Sequence, residues 1–257
     1  MKQATAPTGI PRLRFVIYGP GGAGKTTLSY DFHSDPRTGP LLGLDLGGNP
    51  ELLLRKAGAA PVITIDSIGD LDIVIDFFML NQPTNHPLRK YIGGDNGITF
   101  KTLNIDTLTD WQQTWVIDRI TGNDRVKSIA ATIAPTALDH GNKIFAQTMK
   151  AGRELFLNVP VNVILTIQEQ ETVDFKTGQR TLRPFLYGQS RTQLLKWANL
   201  VGHIEPQRLD GKIQRVIEFE AASIDAAAKN QVAPTLGARI VNPTAKIILD
   251  KIEDYYK

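Results

Sequence analysis

The stretch Gly19-Pro20-Gly21-Gly22-Ala23-Gly24-Lys25-Thr26-Thr27 decides the fold of this 257-residue chain. It fits the phosphate-binding loop pattern G-x-x-x-x-G-K-[ST], with an apolar run before it and a helix-forming segment behind it. Glycines let successive backbone N–H groups point into one concavity, and the N-terminus of the following helix faces the same anion. This pattern predicts a binding site for a nucleoside triphosphate.

The loop also predicts individual roles for its polar residues. Lys25 is expected to reach the β- and γ-phosphate oxygens, and the Thr26 hydroxyl to ligate Mg²⁺. ATP and Mg²⁺ are therefore the expected cofactors. The residues expected to contact the nucleotide are Gly19, Gly21, Gly22, Ala23, Gly24, Lys25, Thr26 and Thr27.

The composition is that of an ordinary globular protein, with 42% hydrophobic and 21% charged residues. A chain of this length is expected to form one domain over residues 12–257, after a flexible tail over residues 1–11. The absence of cysteine excludes disulfides and thiolate catalysis. No apolar run approaches the ~20 residues that span a bilayer, and the N-terminus does not resemble a signal peptide. We therefore expect a cytoplasmic protein without a membrane contact.

Apolar runs alternate with helix-forming segments through the first two thirds of the chain. Strands are predicted at 14–18, 41–46, 61–66, 100–106 and 161–167, and helices at 71–80, 110–120 and 142–158, with a mobile insertion at 121–140. Hairpins are predicted to pair 172–174 with 180–182 and 201–204 with 216–219, before a last helix over 244–256 that Pro243 opens at or near its first turn. This order predicts an α/β fold, a mainly parallel sheet flanked by helices with C-terminal antiparallel hairpins.

Besides the Thr26 hydroxyl, an acidic group is expected to hold Mg²⁺ through its water shell. Two apolar runs end in an aspartate followed by a hydroxyl residue, namely Ile63–Ser67 with Asp66 and Leu103–Thr107 with Asp106. We favour Asp106, because Asp66 also suits a turn or a helix cap; a cap is the alternative for Asp106 too. Gln168, at the end of a later strand, is either a sensor of the γ-phosphate or a polar strand terminus.

Basic residues are concentrated between Val173 and Lys196, where five of them accompany one acid, Asp174. The net charge of the chain is only +3, so this local excess is the more informative feature. It indicates either a surface for phosphate backbones or a solvated hairpin face.

The order of GPGGAGKTT, LDLGG, KTLNIDTLTDW, NVILTIQEQE and GHIEP resembles that of the RecA-like ATP-binding proteins of bacteriophages. That group includes recombination and single-strand annealing ATPases, and the resemblance extends from Arg12 to Arg239. It implies that Asp106 is the acid associated with Mg²⁺, and that Gln168 lies beside the γ-phosphate at the start of a DNA-responsive loop. The implied DNA contacts lie in 172–191 and are Lys176, Arg180, Arg183 and Arg191.

The resemblance also implies single-stranded DNA, further copies of the chain, and phage or host recombination and single-strand-binding proteins as partners. Two departures from the family pattern bear on hydrolysis. The glutamate that polarises the attacking water is missing from Leu44–Gly48, where Asp45 is the nearest acid and Glu51 lies further on. A late basic segment keeps only Lys229, a candidate finger acting in trans, with Arg239 a weaker one; a solvated surface is the alternative for both.

Two other functions are compatible with the phosphate loop. A small-molecule kinase would need a basic lid, for which 81–97 and 121–140 are long enough but lack an arginine cluster. A nucleotide-gated interaction protein with little turnover would accommodate the missing glutamate. The histidines His33, His86, His140 and His203 have no metal-ligand spacing, and Trp111 and Trp115 are expected in the core.

Overall fold

The computed structural model describes residues 10–46, 60–66, 68–92, 97–110, 158–173, 175–178, 180–186, 190–220 and 228–257. The strands are β1 (Arg14–Gly19), β2 (Leu41–Asp45), β3 (Val62–Thr64), β4 (Thr102–Asp106), β5 (Asn162–Val173), β6 (Arg180–Pro184), β7 (Leu200–Leu209), β8 (Lys212–Glu218), β9 (Lys229–Asn230) and β10 (Arg239–Val241). The helices are α1 (Lys25–Asp31), α2 (Ile68–Met79), α3 (Leu108–Asp110), α4 (Ser190–Trp197) and α5 (Ala245–Tyr256), with 3₁₀ turns at Pro87–Tyr91 and Pro234–Leu236.

The described strands form one sheet in the order β10-β8-β7-β1-β5-β4-β2-β3, with β6 paired to β5 and β9 paired to β7. From β7 to β3 all neighbours along this order are parallel, whereas β8 and β10 continue the sheet antiparallel. This arrangement confirms the predicted α/β fold, a mainly parallel sheet flanked by helices with C-terminal antiparallel strands. Strand β5 lies between β1 and β4, so the phosphate loop and the end of β4 are separated by one strand.

Two hydrophobic cores lie on opposite faces of the sheet. Strand residues such as Phe15 and Ile17 pack with α1 and α5 on one face, while Val16 and Leu165 pack with α2 and α4 on the other. Parallel strands buried on both faces are expected to be nearly continuous apolar runs, which is the pattern of 14–18 and 161–167. The ends of β1 and β4 and the part of β5 around Gln168 therefore lie together at the carboxyl edge of the sheet.

The two hairpins differ from prediction mainly in length. Strand β5 runs on without interruption from Asn162 to Val173, so the first hairpin grows directly out of a central strand. The second hairpin closes at Asp210 and Gly211, both with positive φ (50° and 77°), as a two-residue turn of the primed type requires.

Pro243 lies directly before the N-cap of the last helix, near its first turn as predicted. The Thr244 hydroxyl accepts a hydrogen bond from the Ile247 backbone N–H at 3.2 Å, so Thr244 is the N-cap and α5 begins at Ala245. Pro243 precedes the cap because a hydroxyl side chain satisfies a helix donor that proline cannot satisfy.

Some predictions lie outside the described residues. These are residues 1–9 of the tail, the second-strand glycines and Glu51, Ser67, the helix 110–120 beyond Asp110, the insertion 121–140, residues 142–157, His140 and both Trp111 and Trp115. Within the described ranges, no helix combines the length and the apolar character that crossing a membrane requires.

Candidate nucleotide-binding site

The phosphate loop leaves β1 at the carboxyl edge of the sheet and enters α1 at Lys25. Gly22 and Gly24 have φ values of 77° and 97°, the left-handed region that glycine adopts without strain. A Cβ added at Gly21 or Gly22 would meet no heavy atom within 4 Å, so this side of the loop is open. Gly24 caps α1 without a side chain, and the first N–H groups of the helix face the same opening.

Lys25 is buried beneath this loop, with only 6% of its surface exposed. Its Nζ donates hydrogen bonds to the carbonyl oxygens of Gly19 at 2.7 Å and Pro20 at 2.8 Å. A third bond, of 3.2 Å, goes to Oε1 of Gln168 on β5. The loop carbonyls and Gln168 therefore hold the ammonium at the mouth of the predicted phosphate site.

Asp106 ends β4 and lies close to Thr26 and Lys25. Burial raises the pKa of the Asp106 carboxyl, which is 3% exposed. The hydroxyl of Thr166, which donates to Asp106 Oδ1, lowers this pKa in part, as do the nearby Thr26 hydroxyl and Lys25 charge. Asp106 Oδ2 is buried and accepts no hydrogen bond from the described residues. An uncompensated buried carboxylate oxygen of this kind is suited to a cation or to the water that a cation holds.

A second carboxylate stands beside Asp106. Asp45, at the end of β2, is the register partner of Asp106 in the parallel ladder and is only 1% exposed. Its charge further raises the pKa of Asp106. The Tyr30 side chain from α1 packs against Gly43 of β2, where an added Cβ would overlap the tyrosine hydroxyl. The pKa of Tyr30 is raised, first by burial and then by Asp106.

This donor set fits Mg²⁺, because a threonine hydroxyl and carboxylate oxygens are the hard oxygen ligands that the ion prefers. The other aspartate considered from sequence lies elsewhere. Asp66 follows the edge strand β3 and is exposed, and its backbone N–H donates to the Asp70 carboxylate at 3.0 Å. The structure therefore brings Asp106, and not Asp66, to Thr26.

Gln168 connects the phosphate loop to the β5–β6 hairpin. It is the register partner of Gly19, and its backbone N–H donates to the Thr109 hydroxyl at 2.9 Å. Its carbonyl oxygen accepts a hydrogen bond of 2.7 Å from the Phe185 N–H, directly after β6. Both main-chain groups of Gln168 are thus fixed, while its side chain faces Lys25.

The predicted DNA contacts are distributed along this hairpin and α4. At the turn, Phe175 is fully exposed and is followed by exposed Lys176. Arg180 forms an exposed ion pair with Glu171 at 3.3 Å. Desolvation lowers the pKa of Arg191, and the charge of Arg183 lowers it further.

Lys229, the proposed finger, makes intramolecular contacts. Its Nζ donates to the carbonyl oxygens of Leu195 at 3.0 Å, Lys196 at 3.2 Å and Ala198 at 2.7 Å, at the C-terminal end of α4. All three ammonium donors are used in capping that helix. Arg239 lies exposed on β10. Neither position has a neighbouring subunit in the structure, and the role in trans stays a prediction.

Sequence reasoning missed two features of this edge. His203 Nε2 on β7 lies 2.7 Å from Glu169 Oε2, and its ring packs against that of Tyr18 at a centroid distance of 4.8 Å and a tilt of 40°. Both residues follow apolar strand segments, so the rule that parallel strands end at one edge would have placed them together. The second feature is Arg215 of β8, whose guanidinium lies against Gly24. No local pattern around Arg215 indicates this contact.

Comparison with known proteins gives one family match. A family model described as an AAA domain matches residues 12–231. A KaiC-like protein from the hyperthermophilic archaeon Pyrococcus horikoshii is similar in structure, with 16% identity and a TM-score of 0.46 over 91% of this chain and 92% of that one. The flagellar accessory protein FlaH from Methanocaldococcus jannaschii has 12% identity and a TM-score of 0.41 over 91% and 86%. None of the curated proteins compared with the chain matches it significantly.

Proposed function

The chain belongs to the AAA domain family and carries a P-loop ATPase domain, and we propose that it is a phage-type ATPase of DNA recombination or single-strand annealing. In this proposal, ATP binds with Mg²⁺ at the phosphate loop and is hydrolysed slowly, in response to single-stranded DNA. Copies of the chain assemble on the DNA, where they meet phage or host recombination and single-strand-binding proteins. The link from Lys25 to Gln168 carries the proposal.

In this proposal, the Lys25 ammonium bonds to the Gln168 side chain before the nucleotide binds and to its phosphate oxygens afterwards. The Lys25 ammonium donates a hydrogen bond of 3.2 Å to the Gln168 side chain. A triphosphate offers charged oxygens, which form stronger hydrogen bonds with an ammonium than an amide oxygen does. Binding would therefore release the Gln168 side chain at the root of the β5–β6 hairpin. The hairpin would then change its position or its degree of order, and its affinity for a partner would depend on the bound nucleotide.

The chemistry of the hairpin favours single-stranded nucleic acid as the partner. Proteins of this kind combine a cationic groove with aromatic side chains on which bases stack. The like charges of Arg183 and Arg191 act on each other, and a phosphate backbone would compensate them. Phe175 at the turn is an exposed aromatic side chain that no core contact accounts for.

The residues around the triphosphate have separate roles in the proposed hydrolysis. Backbone N–H groups from Gly21 to Thr26 and the Lys25 ammonium hold the phosphate oxygens, while Thr26 and Asp106 hold the metal ion and its waters. Bound Mg²⁺ supplies charge compensation on the β- and γ-phosphates. Asp45 is the acid nearest to this set and would orient the attacking water. It is shorter than the glutamate of the resembling family, so we expect slow turnover.

The proposal is tested by ATP hydrolysis with and without single-stranded DNA, in the wild type and in Phe175→Ala. We expect DNA to stimulate the wild type and Phe175→Ala to need roughly tenfold more DNA for the same stimulation, because a stacked base contributes about 1–3 kcal/mol. Lys90→Ala, an exposed substitution in the 3₁₀ turn, is the matched control. Hydrolysis that is indifferent to DNA would contradict the DNA role.

A second candidate function is a nucleotide-gated interaction protein with little turnover. The missing glutamate after β2 favours it. The same assay separates the two, because tight ATP binding without hydrolysis, with or without DNA, supports the gated protein. Phosphate transfer to a metabolite would instead indicate a kinase.

A further inference from the structure

Arg215 of β8 lies directly on the phosphate loop. A Cβ built on Gly24 would stand 2.7 Å from Arg215 Nε, 2.9 Å from Cζ and 3.0 Å from Cδ. The guanidinium group therefore rests on the Gly24 main chain, one residue before Lys25. Because any side chain at Gly24 would displace it, this contact adds a second reason for glycine there, besides the φ of 97°.

The backbone of Arg215 is held within the sheet. Within the antiparallel ladder it is the register partner of Pro206 on β7. On the other side, its carbonyl oxygen accepts a 2.6 Å hydrogen bond from the Asn242 N–H, and its own N–H donates to Asn242 Oδ1 at 3.2 Å. An arginine anchored in this way presents its side chain from a rigid strand, which is the placement that precise ligand contacts need.

The same sheet region also contacts the beginning of the loop. A Cβ at Gly19 would overlap the carbonyl oxygen of Ile204 on β7, so that strand passes very close to the first loop glycine. Strands β7 and β8 therefore touch both ends of the loop, at Gly19 through a backbone carbonyl and at Gly24 through Arg215.

The charge of Arg215 is not balanced within the described residues. None of their carboxylates forms an ion pair with it, and its side chain is exposed. A second cation beside Lys25 and the positive end of α1 is unfavourable until an anion arrives. This group of positive charges therefore suits a ligand with several negative charges.

We propose that Arg215 is a phosphate-binding residue that β8 contributes to the nucleotide site of its own subunit. This inference rests on the proposed nucleotide binding and adds to it a contact in cis, from outside the phosphate loop motif. The ligand group is the polyphosphate chain, which a planar guanidinium can hold with two parallel N–H···O bonds. Arg215 would cover the loop opposite Lys25 and slow the dissociation of the nucleotide.

Calorimetric titration of the full chain tests the proposal, with Mg·ATP and inorganic tripolyphosphate as probes. We expect Arg215→Ala to lower the affinity for both probes by roughly 10- to 100-fold, because a charged hydrogen-bonding partner is lost. Arg215→Lys should recover only part of the affinity, because an ammonium keeps the charge without the fork. Lys212→Ala removes one charge from the same strand about 10 Å away and should bind like the wild type.

The outcomes separate this inference from the proposed function. Wild-type affinity for both probes in Arg215→Ala, together with loss of affinity in Lys25→Ala, would overturn the inference and leave nucleotide binding intact. A loss for ATP but not for tripolyphosphate would overturn the phosphate assignment in favour of the base or ribose. Absence of binding in the wild type itself would overturn both. Thermal unfolding of each variant confirms that the exposed substitution leaves the fold unchanged.

Discussion

The Nζ of Lys25 and the Oε1 of Gln168 lie 3.2 Å apart, although 143 residues separate them in the chain. The pairing of β1 with β5 makes this possible, because Gly19 at the end of β1 and Gln168 within β5 are the last register partners of these parallel strands. The residue that identifies the phosphate loop therefore contacts the strand that continues into the β5–β6 hairpin. In the proposed function, this hydrogen bond couples nucleotide binding to the conformation of the hairpin.

Gln168→Ala is expected to separate nucleotide binding from the response to DNA. The main-chain bonds of Gln168 remain, so the affinity for ATP should stay within about threefold of the wild type, while DNA stimulation of hydrolysis is lost. Gln170→Ala is the matched control, because Gln170 has the same side chain two residues along β5 and no bond to Lys25. ATPase rates measured over a range of DNA concentrations check this. Retained stimulation in Gln168→Ala would refute the link.

Asp106→Asn is expected to stabilise the protein without nucleotide. Burial raises the pKa of Asp106 above its ordinary value of 3.8, so the folded chain binds the proton more tightly than the unfolded chain does. Stability contributed by the protonated form is therefore lost as the pH rises from the unfolded pKa through the folded pKa. The variant keeps Oδ1 as an acceptor for Thr166 and removes the charge.

Thermal unfolding from about pH 4 to about pH 9 measures this effect. We expect the Tm of Asp106→Asn to exceed that of the wild type by a margin that widens with pH, to roughly 2–4 °C. Mg·ATP should raise the Tm of the wild type but not of the variant. Asp66→Asn, at the exposed end of the β3 segment, is the control and should show neither change. A Tm difference that is constant across this pH range would contradict the assignment.

The carboxyl edge of the sheet was predictable because its residues follow recognisable strands. The loop from Gly19 to Thr27 has a specific pattern, and Asp106 and Gln168 each end an apolar run. In a parallel sheet such positions meet at one edge whatever the exact strand order. The sequence could therefore nominate these residues without knowing that β5 lies between β1 and β4.

Contacts that depend on the order and register of the strands in the sheet could not be predicted in the same way. Arg215 reaches Gly24 only because β7 pairs with β1 and β8 then pairs with β7 in one particular register. Nothing within several residues of Arg215 specifies that register. Lys229 is a similar case, since its three acceptors lie at the end of α4, more than thirty residues earlier. A basic residue in sequence is compatible with a ligand contact, a helix cap or a solvated surface.

Gly43→Ala is expected to destabilise the fold by about 1–3 kcal/mol, the usual effect of overpacking. The added Cβ would overlap the Tyr30 hydroxyl and stand 2.8 Å from Cε1. Combining it with Tyr30→Phe should recover part of the loss, because the hydroxyl contact disappears and the ring contact remains. Gly21→Ala, where the Cβ meets nothing within 4 Å, is the control for stability. Urea unfolding measures all four proteins, and equal stability of Gly43→Ala and wild type would contradict the packing.

Arg183→Ala and Arg191→Ala are expected to weaken binding of single-stranded DNA through charge. The logarithm of the affinity falls as the logarithm of the salt concentration rises, and each removed phosphate contact should make this slope less steep by roughly 0.7. Fluorescence anisotropy with a labelled oligonucleotide at several salt concentrations measures this slope. Lys90→Ala should leave it unchanged, since Lys90 lies on the separate 3₁₀ turn. An unchanged slope in both arginine variants would assign these residues to a solvated hairpin face.

Lys229→Ala distinguishes a structural role from a catalytic role in trans. The Lys229 ammonium caps α4 through three carbonyl oxygens, and burial lowers its pKa. Removing it leaves helix acceptors without a donor, so we expect a loss of about 1–2 kcal/mol in the free energy of unfolding. The ATPase rate per folded molecule should remain that of the wild type, because the side chain is already engaged within its own subunit. A finger that stabilises the transition state in a neighbouring subunit predicts the reverse, namely unchanged stability and a rate reduced by roughly 10³-fold or more. Urea unfolding and single-turnover hydrolysis of the same preparation therefore decide between the two roles.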